Sequence, residues 1–449
     1  MKKSKIILVS VFLLAFGVGL CSCGQNEVIN LTTGPKISEN FEKKLDEYTN
    51  LLVKSAVNVQ KGQKVLIKAT VDNYYLAEKC MDKAYEAGAS DVKLVWDDEY
   101  ENHERAKNSD AKALNDDMVY DYLTRVGYSN EQIAYMYFDS VDPDANSDLT
   151  KEQGNKFSEA KSNASREFIH RQITNKIQWT GTAIPQKEWA KMVFPGESED
   201  EAVTALWSAI FEAARITGDG NAAQRWKDHV KFLQDNAEKM NNLRFKTLHY
   251  TNDLGTDLTI DLPKEHVWRA GNAKAANGIE FSPNVPTEEI YTAPTKNSAN
   301  GKVYASKPLA INGKLVENFN FVLKDGKIVE IHAEKGEDVL KEEIASNEGA
   351  EYFGEVALVP FDSAICKQNI IYYHPLYDEN ASCHIAFGEA YPDCIINGDN
   401  LSDDEVKAAG LNFSSTHRDF MVGTSDLKIV GTTWDGKEIV IFENGNWAI

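Results

Sequence analysis

From Phe41 to Arg244 short apolar runs alternate with longer segments whose apolar residues recur every three to four positions. KVLIKAT (Lys64 to Thr70) has the continuous apolar character of a buried strand, and VKLVW (Val92 to Trp96) is a second one. Between them, Tyr75 to Ala87 carries a helical period that stops at Gly88, where a C′ glycine is expected. Strand, helix and strand in this order form a βαβ unit and predict a largely parallel sheet. Ser198 to Arg215 opens like a capping box and places Val203, Leu206, Trp207, Ile210 and Phe211 on one helical face. Trp226 and Phe232 also fall at helical spacings, and with Trp207 and Phe211 they are expected in the core. Beyond about Phe245 strand signals dominate, in DLTIDL, FNFVLKDGKIVEIHAE and TTWDGKEIVIF. Asp325-Gly326 and Asp435-Gly436 predict hairpin turns, because type I′ turns need positive φ. The expected fold class is α/β: an N-terminal α/β domain over residues 41–245 with a largely parallel sheet, then a mainly antiparallel β (α+β) domain over residues 246–449.

The first residues read differently. Lys2, Lys3 and Lys5 precede the apolar run IILVSVFLLAFGVGL, too short and wrongly flanked for a membrane span, so residues 1–22 read as a secretory signal. The run ends in LCSC and resembles a bacterial lipoprotein box, with Cys23 the candidate for lipidation and Cys21 the alternative. Residues 23–40 would form a short tether, and the expected location is the cell envelope, membrane-anchored only through the lipid. An ordinary cleaved signal with two incidental cysteines is the competing reading.

Charge narrows the partners. The chain of 449 residues has a formal charge of −21, three units more negative once Lys2, Lys3 and Lys5 leave with the signal. Such a body repels phosphate backbones, which argues against nucleic acid as a partner. Past the signal only Cys80, Cys366, Cys383 and Cys394 remain, too few for a disulfide scaffold and without CxxC spacing, though Cys383 could pair with Cys394.

Familiar catalytic motifs are missing: HExxH, GxSxG and the P-loop do not occur. GDGNAA at Gly218 imitates part of a dinucleotide fingerprint but follows a helix, so it is read as a connecting loop. DPDANSDLTKEQ from Asp142 imitates a calcium loop, yet has Ser147 and Gln153 where glycine and glutamate are required. The final third is richer. His384 opens HIAFGEAY with Tyr391 two helical turns on, and His417 and Asp419 alternate in THRDFMVG so that a strand would send both to one face. With Glu355 nearby in type, these residues suggest a divalent metal site and metal-dependent hydrolysis.

Taken in order, NVPTEEIYTAP (Asn284 to Pro294), FGEVALVP (Phe353 to Pro360), LYDENASCHIAFGEAY (Leu376 to Tyr391), HRDFMVG (His417 to Gly423) and the closing DGKEIVIFENGNW form an ordered set. VNVQKGQKVLI, AYEAGASDVKLVW and WAKMVFPG add to it. From about Phe41 to Ile449 the chain resembles the metallo-aminopeptidases of the aminopeptidase T and aminopeptidase S type. The resemblance implies two divalent metal ions (zinc, cobalt, manganese or magnesium), short peptide substrates and a homodimer. Its metal ligands correspond to Glu289, with Glu288 the fallback, and to Glu355, His384, His417 and Asp419; its active-site tyrosine corresponds to Tyr391. In this scheme Glu355 bridges, Glu289 and His384 complete one metal, and His417 with Asp419 the other. Glu288 is the candidate proton acceptor and Tyr391 the oxyanion donor. The plainer readings are a carbonyl-satisfied His384, a His417–Asp419 ion pair and solvated glutamates; His374, His332, His229, His249 and His266 receive no role. The competing function is a peptide-binding lipoprotein of the same fold without turnover.

Overall fold

The structure, a computed structural model, describes residues 39–449 apart from 117, 119–124, 126, 128–130, 141, 143, 144, 312, 313, 399 and 400. The signal, Cys21, Cys23 and nearly all of the tether lie outside the described residues, and so does part of the loop after Asp142.

Four strands form the N-terminal sheet in the order Asp91–Asp97, Lys64–Thr70, Ala134–Asp139, Gln178–Ala183, every pairing parallel. The helix Tyr74–Glu86 crosses between the first two strands in sequence and ends where Gly88 takes φ 94°. Val65, Ile67 and Met136 pack with Leu76, Ala77 and the helix Glu199–Ala213 in one core. Ser198 caps that helix through a reciprocal bond with Glu201, and Leu206, Trp207, Ile210 and Phe211 are buried. Phe232 is not; it is 46% exposed. The buried stripe of its helix Ala222–Leu243 runs through Trp226, Val230, Leu233, Ala237 and Met240. Phe232 stands about 100° round the axis from Leu233 and misses that stripe.

The C-terminal half is antiparallel. An eight-stranded sheet runs from Lys327–His332 at one edge to Asn446–Trp447 at the other. A five-stranded sheet carries His417–Met421, His384–Gly388, Phe353–Leu358, Ile290–Thr292 and Arg269–Ala270, in that order. The two sheets share a core in which Phe321 meets Phe387 and Phe420 edge-on. At Asp325-Gly326 both residues take positive φ, 50° and 83°, as a type I′ turn requires. At Asp435-Gly436 only Gly436 does. There Gly436 N–H bonds the Thr433 carbonyl and Thr433 N–H bonds the Lys437 carbonyl, giving a wider turn than expected.

HIAFGEAY is not a helix. His384–Gly388 is a central strand, buried at all five positions, and Tyr391 precedes a short 3-10 turn, Pro392–Cys394. Burial on both faces removes the polar alternation that would have marked it.

One excursion joins the halves. After Pro360 the chain returns to the N-terminal core, where Ile365, Tyr372, Tyr377 and Ala381 are buried. Trp189 Nε1 donates to the Tyr372 carbonyl, and the Tyr372 and Tyr377 rings stack at 4.6 Å. Cys80, Cys366, Cys383 and Cys394 are buried free thiols, Cys383 donating to the Val359 carbonyl.

Candidate metal centre

The five-stranded sheet is a frame that brings distant residues into line. Glu355 lies opposite Ala386, which lies opposite Asp419, so the two acids share a face across a small residue. His384 is two residues before Ala386 and leaves the same face; His417 pairs with Gly388 at the far end. A bulge between Phe353 and Glu355 sets this register, and Gly354 permits it. A Cβ at Gly354 would collide with the carbonyl oxygens of Gly388 and Glu389. Glu289 enters just ahead of the Ile290–Thr292 strand.

The resulting side chains fall into two groups, Glu289–Glu355–His384 and Glu355–His417–Asp419, each with ligand atoms within 4.8 Å of one another. His384 Nε2 is 3.1 Å from Glu289 Oε2 and 3.5 Å from Glu355 Oε1. His417 Nε2 is 3.5 Å from Asp419 Oδ1 and 3.6 Å from Glu355 Oε2. Glu355 belongs to both groups.

The other face of each imidazole fixes its tautomer. His384 Nδ1 donates to the Ser382 carbonyl at 3.2 Å, and His417 Nδ1 donates to the Glu389 carbonyl at 2.8 Å. A neutral ring so held presents an Nε2 lone pair to the carboxylates. Glu289 Oε2 and Asp419 Oδ1 are buried and have no hydrogen-bond donor. Lone pairs facing lone pairs in a buried place require a cation between them, and nitrogen with carboxylate oxygen suits a divalent transition metal. The residues fit the ion.

Their titration expresses the same demand. Burial opposes charging His417, but Asp419 and Glu355 outweigh it and raise its pKa to about 10. Burial likewise pushes Asp419 up, yet His417 and His384 hold it at about 2. Without a metal, protons on the rings would be the substitute positive charge.

Two further placements change the expected roles. Glu288 does not face this cluster: Arg215 Nη2 grips both its oxygens at 2.8 and 2.9 Å, and its N–H donates to Asn380 Oδ1 at 2.7 Å. On extended backbone, neighbours point to opposite sides, so Glu288 anchors the segment from which Glu289 projects. The carboxylate that does join the wall is Glu379, whose pKa is driven up by burial and then by Glu289 and Asp419. Sequence reasoning passed over it inside LYDENASCHIAFGEAY, where a lone loop glutamate carries no periodic signal. Tyr391 comes close by a route other than a helix: its ring lies 4.9 Å from His417 and 6.0 Å from Tyr291. Crowding by the cavity wall and the surrounding carboxylates raise the pKa of its phenol, although the residue is 40% exposed.

The five histidines given no role make their contacts away from this cluster, and His266 Nε2 has no hydrogen-bond partner among the described residues. His229 bonds the Thr287 carbonyl, His249 pairs with Asp257, His266 bonds the Pro263 carbonyl, His332 pairs with Glu330, and His374 accepts from Leu376 N–H.

Glu289, Glu355, Glu379, His384, Tyr391, His417 and Asp419 line one cavity of about 560 Å³. Residues 41–447 match the family described as thermophilic metalloprotease (M29). The chain belongs to the M29 metalloproteases. Among its M29 relatives, aminopeptidase AmpS of Bacillus subtilis (strain 168) is 39% identical over 91% of this chain and 100% of its own. Aminopeptidase T of Thermus aquaticus is 34% identical over 91% and 99%. The solved structure of wild-type AmpT from Thermus thermophilus superposes with a TM-score of 0.84 at 32% identity, covering 91% of this chain and 100% of that one. The M29 fold therefore holds across both sheets and the excursion between them.

Proposed function

We propose that this M29 chain is a metal-dependent aminopeptidase that removes the N-terminal residue of short peptides at a two-metal site. Glu289 and His384 would hold one ion, His417 and Asp419 the other, and Glu355 both. The observation that carries this is the pair of imidazoles whose Nδ1 atoms are tied to backbone carbonyls, leaving both Nε2 atoms turned on orphaned carboxylates. Divalent ions held there, zinc, cobalt, manganese or magnesium, would supply Lewis-acid polarisation of the scissile carbonyl and an acidified water of pKa ~7. Glu379, on the cavity wall, would accept the proton of the attacking water and return it to the leaving amine. Tyr391 donates its O–H to the tetrahedral oxyanion. The acidic wall attracts the free α-amino group, which favours an exopeptidase. We further propose a homodimer, anchored at the cell envelope through a lipid on Cys23.

The test uses the chain from Gln25 onward with short peptides and amino-acid p-nitroanilides, before and after chelation. Cleavage abolished by chelator, restored by a divalent ion and absent for N-terminally blocked peptides is expected. A folded protein that cleaves nothing with any metal would leave a peptide-binding lipoprotein as the better description.

A further inference from the structure

The five-stranded sheet carries a second row of facing residues. His384 lies opposite Ala357, Ala357 opposite Tyr291, and Tyr291 opposite Arg269. Directly opposed residues of antiparallel strands share a face, so Arg269 emerges on the face that bears the metal ligands. Three strand spacings separate its backbone from that of His384, roughly 14 Å at ~4.8 Å per strand. Arg269, Tyr291 and His384 all line the one cavity. Glu289, Glu355, Glu379 and Asp419 line it with the imidazoles; Arg269 and Lys274 line it too, Arg269 beside Asp393 and Lys274 opposite Glu280.

Arg269 is also positioned to receive something. Its Nε and Nη2 both donate to the Asp393 carbonyl, which fixes the plane of the guanidinium. The Asp393 carboxylate stands 3.4 Å from Nε. Nη1 makes no hydrogen bond among the described residues, and the side chain is 37% exposed. A fixed guanidinium with a spare edge is the group that recognises a carboxylate.

We propose that Arg269 binds the free α-carboxylate of a peptide whose amino end lies at the metal ligands, making the enzyme selective for di- and tripeptides. This rests on the aminopeptidase reading above for the direction of the substrate. Extended chain advances roughly 3.5 Å per residue, so two or three residues span about 7–10 Å. The arginine side chain covers the remainder of the gap. A longer peptide has no carboxylate at that distance and forgoes the contact. Arg269 acts in binding and takes no part in proton transfer.

The experiment compares di- and tripeptides as free acids and as C-terminal amides, with the metal-loaded full chain. Alongside turnover it measures inhibition constants for dipeptides whose scissile amide is replaced by a methyleneamine, again as acid and amide. The acid should be favoured about tenfold or more, through KM and the inhibition constant and not kcat, as a charge-assisted contact provides. Arg269→Gln should bring the acid-to-amide ratio near one, and Arg269→Lys should keep part of it. Equal handling of acid and amide by the wild type would overturn the proposal. So would an Arg269→Gln variant that loses activity on both while preserving their ratio, since that marks a merely structural hold on the Asp393 turn. A chain that binds the acid inhibitor more tightly than the amide but cleaves neither peptide would retain the Arg269 site and sink the aminopeptidase reading instead.

Discussion

The parallel sheet and the five-stranded antiparallel sheet belong to regions that treat charge in opposite ways. In the N-terminal part, Asp97 pairs with Lys68 on the neighbouring strand of the parallel sheet at 2.5 Å, and the buried Glu47 with Arg225 between two helices at 3.1 Å. In the five-stranded antiparallel sheet, Glu289, Glu355 and Asp419 face imidazoles whose protons are committed elsewhere. The first arrangement is complete as folded. The second holds several acids at close range in a place where like charges repel strongly, and a metal ion or, without one, protons on the two rings must balance it. A deficit of positive charge inside a well-packed sheet therefore locates an ion site with no motif as a guide.

Substitutions can break that contrast. Glu355→Gln removes the ligand common to both groups, and the expected outcome is loss of bound metal, read by elemental analysis, with activity at background. Glu379→Gln should leave the metal in place yet reduce kcat by about 10²–10⁴-fold, the usual scale for a proton-transfer group. Glu288→Ala should act on folding: an unpaired Arg215 in a buried site costs roughly 3–5 kcal/mol, measurable by denaturant titration of the metal-free chain. If Glu288→Ala folds normally and Glu379→Gln turns over normally, the roles given to these two glutamates are reversed. Tyr391→Phe should lower kcat by roughly 10²-fold with metal content unchanged; loss of metal instead would make Tyr391 a ligand.

The smallest effect belongs to the parallel sheet. Burial raises the pKa of Asp97, but Lys68 outweighs burial and holds it at about 2. A folded pKa below the unfolded value stabilises at neutral pH and is lost as pH falls from about 4 toward 2. Asp97→Asn should therefore lower stability by on the order of 1–2 kcal/mol at pH 7, and the gap from wild type should close through that acid range.

How much of this could be read from the sequence depends on what each segment does with its side chains. Strand Lys64–Thr70, the helix from Tyr74 and the Ser198 cap agree with the expectation to within a residue or two, because their signals are local: an apolar run, a period and a capping pair. Asp325-Gly326 was legible for the same reason. His384–Gly388 was not. A strand buried on both faces has no alternation, and the spacing from His384 to Tyr391 happens to equal two helical turns. The expected ligands nevertheless assemble, since a shared face of neighbouring strands needs only the correct residue in each strand. Choosing between Glu288 and Glu289 needed the backbone, because adjacent residues in an extended segment point apart and either parity fits the sequence. Glu379 needed the cavity itself.

The excursion that buries Tyr372 and Tyr377 beneath Trp189 is the same stretch of chain that delivers Glu379 to the cavity and Asn380 to the Glu288 backbone. Thermodynamic linkage then reaches across the molecule: an ion that binds only the assembled site adds its binding free energy to the cost of pulling this stretch out of the N-terminal core. Amide protons around Trp189, remote from any ligand atom, should exchange more slowly once metal is added, and a protease cut within the excursion should uncouple the two sheets and empty the site together.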